Sequence, residues 1–209
     1  MPEAVDYFAN HRNKLRFPWL LYHGPIIGAL RSAIRDAKGS EVLNLGSGPF
    51  FELEQLPLDS KQYTLCDIEP RAIELAQRLH GHRIKQADVL APGAPLPYAD
   101  ASFDLVVSMD VVEHVVDPEP WLREAFRVLR PSGALFLTTP NYSSLSLRLI
   151  ESTLLELVAR SQGFSRQHLH PSKMTSARLV SLLDRLGNAQ TRLATIAYGW
   201  VLTSTTVKA

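Results

Sequence analysis

Short, uninterrupted apolar runs alternate along this chain with segments whose apolar residues recur every three or four positions. The runs Glu41–Leu45, Tyr63–Asp67, Arg83–Ala87, Phe103–Met109 and Ala134–Thr139 predict strands. The helical spacing predicts Pro70–His80, closed by Gly81, Glu119–Leu129, ended by Pro131 and Gly133, and Thr175–Leu186, stopped by Gly187. Strands that alternate with helices indicate parallel βαβ units, and wholly apolar strands suit a sheet covered on both faces. Before the first strand, residues 3–37 read as helical pieces broken near Pro18 and Pro25 and ending at Gly39. After Pro140 the alternation lapses, and residues 141–170 read as an insertion holding one long amphipathic helix. The tail, Ala189–Ala197 and Trp200–Val207, is β-prone, and Tyr198-Gly199 between its halves is compatible with a hairpin.

Composition narrows the class. A chain of 209 residues, 45% hydrophobic and 21% charged, fits one folded domain rather than a disordered or membrane-embedded chain. That domain divides into an N-terminal helical lid (1–38), a core (39–140), the insertion (141–170), and a C-terminal helix and hairpin (171–209). A formal charge of +1 provides no electrostatic footprint for long nucleic acid. Cys66 is the only cysteine, so no internal disulfide can form and its expected role is packing. The first residues lack the short apolar core of a secretory signal, no stretch reaches the ~20 apolar residues of a bilayer span, and the expected location is cytoplasmic.

Candidate chemistry begins at the first strand's end. Gly46 and Gly48 would let the backbone approach a nucleoside-bearing ligand without a Cβ in the way. A dinucleotide fingerprint would need glycine at 51, where this chain has Phe51. Asp67, ending the second strand, can accept two hydrogen bonds from a ribose diol; Asp88, after the third, is placed for an adenine amino group. Each signal alone is as well explained by a turn or a helix cap, but the three occupy successive strand ends. His11, His23, His80 and His82 read as surface or packing residues.

The block Val42-Leu43-Asn44-Leu45-Gly46-Ser47-Gly48, the Ser102-Phe103-Asp104 entry to the fourth strand, Glu113-His114 after it and Arg130-Pro131-Ser132-Gly133 before the fifth follow one another in order. Over residues 41–141 this order strongly resembles class I S-adenosylmethionine-dependent methyltransferases, of the methyltransferase type 11 and ubiquinone-biosynthesis kind. The resemblance implies an α/β fold, a Rossmann-like doubly wound seven-stranded sheet with an antiparallel C-terminal hairpin. It implies S-adenosyl-L-methionine as cofactor and a small or medium organic acceptor methylated at oxygen. It assigns Gly46 and Gly48 to the methionine part and ribose, Asp67 to the ribose hydroxyls, Asp88 and Val89 to adenine, and Ser108 and Met109 to the sulfonium side. Asn44, Ser47 and Ile68 complete the expected contact set. Two positions depart from the pattern: Asn44 stands where the family has an acid, and Phe50, where it has a small residue, could crowd the amino-acid end. They motivate a rival reading, a non-catalytic module that binds the cofactor or S-adenosylhomocysteine.

Methyl transfer requires alignment more than a protein nucleophile, but a hydroxyl acceptor benefits from a general base. His114, past the fourth strand, is the candidate; the plainer alternative is that Glu113 and His114 brace the loop. Asp110, Glu113 and His114 fall at i, i+3 and i+4, on one face if helical. This acid-x-x-Glu-His pattern resembles that of ubiquinone-pathway O-methyltransferases and small-RNA 3′-end 2′-O-methyltransferases, which implies a divalent metal. The second group has a histidine five residues before a threonine, as His170 precedes Thr175 here. In the insertion, Leu147, Ile150, Leu154, Leu157 and Val158 repeat at helical spacing, widened by Leu145, Leu149 and Leu155. Such a stripe serves as core, or meets an apolar acceptor, a partner chain or, with Arg148 and Arg160, a membrane surface by peripheral contact.

Overall fold

The computed structural model describes residues 20–56, 61–155 and 170–209. Its sheet starts at β1 (Glu41–Leu45), an interior strand where Asn44 is the one polar residue in the buried run from Val42 to Leu45. β2 (Gln62–Asp67) and β4 (Phe103–Met109) flank it in parallel, with Asn44 opposite Leu65 on one side and Val107 on the other. Outside them lie β3 (Ile84–Val89) and β5 (Leu129–Pro140), then β7 (Val201–Lys208) and β6 (Ala189–Ile196), in the order β3-β2-β1-β4-β5-β7-β6. β7 runs antiparallel to both its neighbours, so the seven strands form the doubly wound sheet and terminal hairpin that the sequence predicts. From β1 the chain winds outward to β3 and then restarts at β4. That reversal opens a crevice at the C-terminal ends of β1 and β4, where open α/β sheets bind ligands.

Period-two alternation sends each strand's side chains to two cores. On one face, Val42, Leu105, Val107 and Phe136 pack under Leu30 and Ile34 of α1 (Leu20–Asp36) and Ile73 and Ala76 of α2 (Pro70–His80). On the other, Leu43, Leu45, Val106, Leu135 and Leu137 pack under Leu122 and Phe126 of α3 (Pro118–Arg127). The helix after the insertion adds Leu179, Leu182 and Leu183 to that side.

Several predicted boundaries move. Pro25 does not break α1, which runs through it with Ile26, Ile27, Leu30 and Ile34 buried; the proline faces outward, and core packing offsets its lost hydrogen bond. Pro18 lies outside the described residues. The third strand lies one to two residues later than Arg83–Ala87, at Ile84–Val89. α3 ends at Arg127 and β5 begins at Leu129, so Pro131 and Gly133 interrupt a strand rather than terminate a helix. Between the pairs Phe103↔Leu129 and Leu105↔Ala134 the register shifts to accommodate them. Of the helix expected in the insertion, the described residues show α4 (Leu145–Ile150), continued without a break by a π-helical turn, Glu151–Leu155; residues 156–169 lie outside the described set. α5 (Ser176–Asp184) starts at the Thr175 cap, whose side chain accepts from the Arg178 N–H. Ala197–Gly199 forms a short left-handed turn, with φ of 49° at Ala197, 60° at Tyr198 and 83° at Gly199, in place of a two-residue hairpin. Among the described residues, no helix is long and apolar enough to cross a membrane.

Two of the sequence blocks turn out to fasten strand starts. Asp104 accepts from the Glu41 N–H at 3.0 Å and from Arg130 Nη1 at 2.9 Å. A Cβ on Gly39 would lie 1.9 Å from the Asp104 side chain. These contacts are at the N-terminal ends of β1 and β4, away from the crevice.

Candidate active site

The crevice starts where β1 ends. The N–H groups of Gly46 and Ser47 both donate to the Cys66 carbonyl, at 2.9 and 3.0 Å, bending the chain over the end of β2. Gly46 has φ of +73°, and a Cβ there would meet Val111 Cγ2 at 2.5 Å, so close packing as well as conformation requires glycine. Gly48 differs: its φ is +53°, but a Cβ would find nothing within 4 Å, so the loop has open space at that point. Its N–H donates to Asp67 Oδ2 at 2.7 Å, and Glu69 N–H donates to Asp67 Oδ1 at 2.9 Å. Asp67 is therefore pinned beside the loop, and each oxygen keeps a further lone pair.

Ile68 and Val89, 61% and 51% exposed, present apolar surface beside Asp67 at the ends of β2 and β3. The Asp88 carboxylate accepts from Tyr98 Oη at 2.7 Å and from Gln86 Nε2 at 2.9 Å. Ser108 is buried, donating to the Leu45 carbonyl at 2.6 Å, and Met109 is half-buried between two apolar clusters. Ser47 Oγ donates to the Gly48 carbonyl. Asn44 is fully buried under the loop, and neither its Oδ1 nor its Nδ2 has a hydrogen-bond partner among the described residues. Phe50 does not crowd the crevice: its backbone is left-handed at φ 50°, and its ring is in the core, edge-on to Tyr63.

One turn beyond Met109 is a second group. Asp110 has φ of 52°, and only Val112–His114 form a turn, of the 3-10 type, so the expected helical face does not exist. Asp110 turns to β5, its N–H donating to the Thr138 carbonyl and its Oδ1 accepting from Thr138 Oγ1, both at 3.0 Å. Glu113 and His114 do meet His170: their ligand atoms lie within 4.8 Å of one another, and the two imidazole rings stand edge to face at 4.7 Å. Glu113 is 1% exposed. Its Oε2 accepts from Thr139 Oγ1 at 2.9 Å, while Oε1 has no hydrogen-bond partner among the described residues. Burial, and next the charge of Asp110, raise its pKa above the ordinary carboxylate value.

His170 reaches this place because its segment is stitched down. Ser172 N–H donates to the Glu113 carbonyl at 3.0 Å, and Tyr142 N–H to the Met174 carbonyl at 2.9 Å. The Tyr142 hydroxyl is hydrogen-bonded to His170 Nδ1. Tyr22 of α1 packs, as Met109 does, against the cluster of Ile26, Ala197 and Val201; burial first, then Asp110, Glu113 and Glu151, raise its pKa. Tyr142, Thr139 and Tyr22 carry no motif signal in the sequence; only their contacts reveal them. Of the insertion stripe, Leu147 is buried, Leu145 and Leu149 are 75% and 65% exposed, and Leu157, Val158 and Arg160 lie outside the described residues. An open groove of about 910 Å³ between Arg31, Arg35, Lys38 and Lys61 lies at the other end of β1 and has no acid in its lining.

A family described as methyltransferase domain matches residues 43–137. A ubiquinone biosynthesis O-methyltransferase of Xanthomonas oryzae pv. oryzae is 35% identical over 118 residues, 53% of this chain and 47% of its own. A malonyl-[acyl-carrier protein] O-methyltransferase of Hahella chejuensis is 30% identical over 155 residues, 73% of this chain and 52% of its own. The chain thus spans about half the length of these curated relatives. Among solved structures, a SAM-dependent methyltransferase from Aquifex aeolicus superimposes with a TM-score of 0.66 at 14% identity, covering 96% of this chain and 98% of that one. The [4+2]-cyclase SpnF does so at 0.65 and 16%, covering 88% and 79%. The fold alone therefore does not choose the reaction.

Proposed function

From the match of residues 43–137 to the methyltransferase domain family, we propose that the chain is a class I S-adenosylmethionine-dependent methyltransferase and that it methylates an oxygen of a small or medium organic acceptor bound beyond Met109. The observation that carries the reading is the adjacency of two groups: a glycine loop with open space at Gly48, and a buried acid with two imidazoles one turn past the fourth strand. The two curated relatives named above are O-methyltransferases, which supports oxygen as the accepting atom.

The residues fit the cofactor. Asp67 would offer its remaining lone pairs to the ribose hydroxyls, Ile68 and Val89 would provide apolar surface for adenine, and Asp88 would add an acceptor for the adenine amine. The Asn44 amide, without a hydrogen-bond partner among the described residues, and the backbone at Gly46, Ser47 and Gly48 would receive the amino-acid end, and Ser108 and Met109 would lie on the sulfonium side. When bound, S-adenosyl-L-methionine supplies a methyl group on a leaving group already made. The chain's own work is to align acceptor and methyl and to remove a proton, which we assign to His114.

A second reading is favoured by the grouping of Glu113, His114 and His170 within 4.8 Å. Two nitrogens and a carboxylate fit a divalent ion, which would lower the pKa of a bound hydroxyl. Asp110, engaged by Thr138, is not in that set. The test is calorimetry with S-adenosylmethionine and S-adenosylhomocysteine, then turnover on an acceptor panel with and without EDTA, beside His114→Ala. Turnover abolished by chelator and restored by one ion supports the metal; full turnover in chelator with a slow His114→Ala supports the base. Cofactor binding without turnover on any acceptor returns the chain to a binding module.

A further inference from the structure

His170 lies 28 residues from Tyr142 in sequence, yet their hydroxyl and Nδ1 are hydrogen-bonded. The pair is held from several directions. Tyr142 is 9% exposed, its backbone N–H is bound to Met174, and the Lys173 ammonium stands 5.4 Å from its ring centroid. His170 also meets the His114 ring, edge to face, and a ring nitrogen of it lies within 4.8 Å of a Glu113 carboxylate oxygen. A neutral imidazole has one N–H, and the partner of one nitrogen decides which lone pair the other can offer.

We propose that Tyr142 is a positioning residue whose hydroxyl oxygen accepts the Nδ1 proton of His170, so that Nε2 presents its lone pair to the mouth and completes a two-nitrogen, one-carboxylate site selective for a transition ion of the Zn²⁺ class over Mg²⁺. This rests on the metal reading of the mouth. A ligating histidine ordinarily donates its other ring N–H to an outer partner, which fixes tautomer and ring orientation. Tyr142 is that partner here. Imidazole nitrogen suits Zn²⁺ and its neighbours, whereas Mg²⁺ demands oxygen ligands and keeps its waters.

The test has two arms on the full chain, neither of which needs the acceptor. Nitrogen-15 long-range NMR of the metal-free protein at neutral pH reads the tautomer directly. A protonated Nδ1 on His170 in the wild type, lost to a mixture in Tyr142→Phe, is expected; a protonated Nε2 in the wild type overturns the proposal. Phenylalanine preserves the ring beneath Lys173 and the backbone bond to Met174. In the second arm Co²⁺ is titrated and followed by its visible absorption bands, with Mg²⁺ as competitor. We expect bands in the wild type that Mg²⁺ does not displace, and an affinity lower by roughly 10–100-fold in Tyr142→Phe. Equal affinity in both proteins removes Tyr142 from the role while leaving the metal reading intact. Displacement by Mg²⁺ overturns the stated selectivity. No bands in the wild type defeats the metal reading itself, and this proposal with it.

Discussion

Thr139 donates to one carboxylate oxygen of Glu113 at 2.9 Å and leaves the other, equally enclosed, with no hydrogen-bond partner among the described residues. A half-satisfied acid in the interior costs stability unless something completes it, and acids in that condition concentrate at functional sites.

Replacing Thr139 by valine removes a side-chain donor to a buried Glu113 oxygen and should destabilise the fold by about 1–3 kcal/mol. Urea unfolding at neutral pH measures this. A Thr139→Val protein as stable as the wild type would mean that Glu113 draws no support from the bond.

The glycine loop separates two effects. Gly46→Ala places a Cβ 2.5 Å from Val111 Cγ2 at a positive φ and should lower the unfolding midpoint, with partial relief from Val111→Ala. Gly48→Ala meets no atom within 4 Å, so its cost is the left-handed backbone, about 1 kcal/mol, while its methyl enters the space assigned to the cofactor. Gly48→Ala is thus expected to fold and to bind S-adenosylhomocysteine poorly. Unchanged calorimetric affinity would remove that space from the cofactor site.

Asp67→Ala should weaken cofactor binding by more than tenfold, since two hydrogen bonds to a charged acceptor contribute roughly 1.5–3 kcal/mol each. Asp67 also accepts from Gly48 and Glu69, so part of the loss will come from a loosened loop. Hydrogen exchange at Gly48 in the cofactor-free variant measures that part. Full affinity in a folded Asp67→Ala protein would relocate the ribose.

His80, 1% exposed and with no hydrogen-bond partner for its Nε2 among the described residues, has its pKa held below the ordinary 6.5, by burial first. The unfolded chain therefore takes up a proton that the folded one resists. Stability should fall as pH drops below about 6.5 and level off once pH passes beneath the folded value. Urea midpoints across that range, compared with His80→Gln, measure the contribution; identical slopes would assign the acid sensitivity to other groups.

How much was legible follows from the range of each signal. The glycine turn, the place of Asp67 at the end of the second strand and the order of the strands are local grammar, readable within a few residues, and the structure has them in that arrangement. Asp110 shows where periodicity misleads: the i, i+3, i+4 spacing presupposes a helix, but a positive φ at Asp110 turns the chain before any helix begins. Phe50 shows a related failure, since a bulky residue in a glycine turn suggests obstruction until the left-handed backbone is seen to aim the ring inward. Tyr142 had no signal at all, because its partner lies 28 residues away, beyond the reach of any local pattern.

The fastening of both ends of the insertion, at Tyr142 to Met174 and at Glu113 to Ser172, has a consequence for how such a chain can change over generations. Whatever length of chain runs between the two fastenings, the mouth residues at either end hold their places. Each doubling of that length costs only about 0.6 kcal/mol of closure entropy. The stretch is therefore a natural graft point, where residues can be added, deleted or exchanged to suit a new acceptor while the machinery beneath is inherited intact.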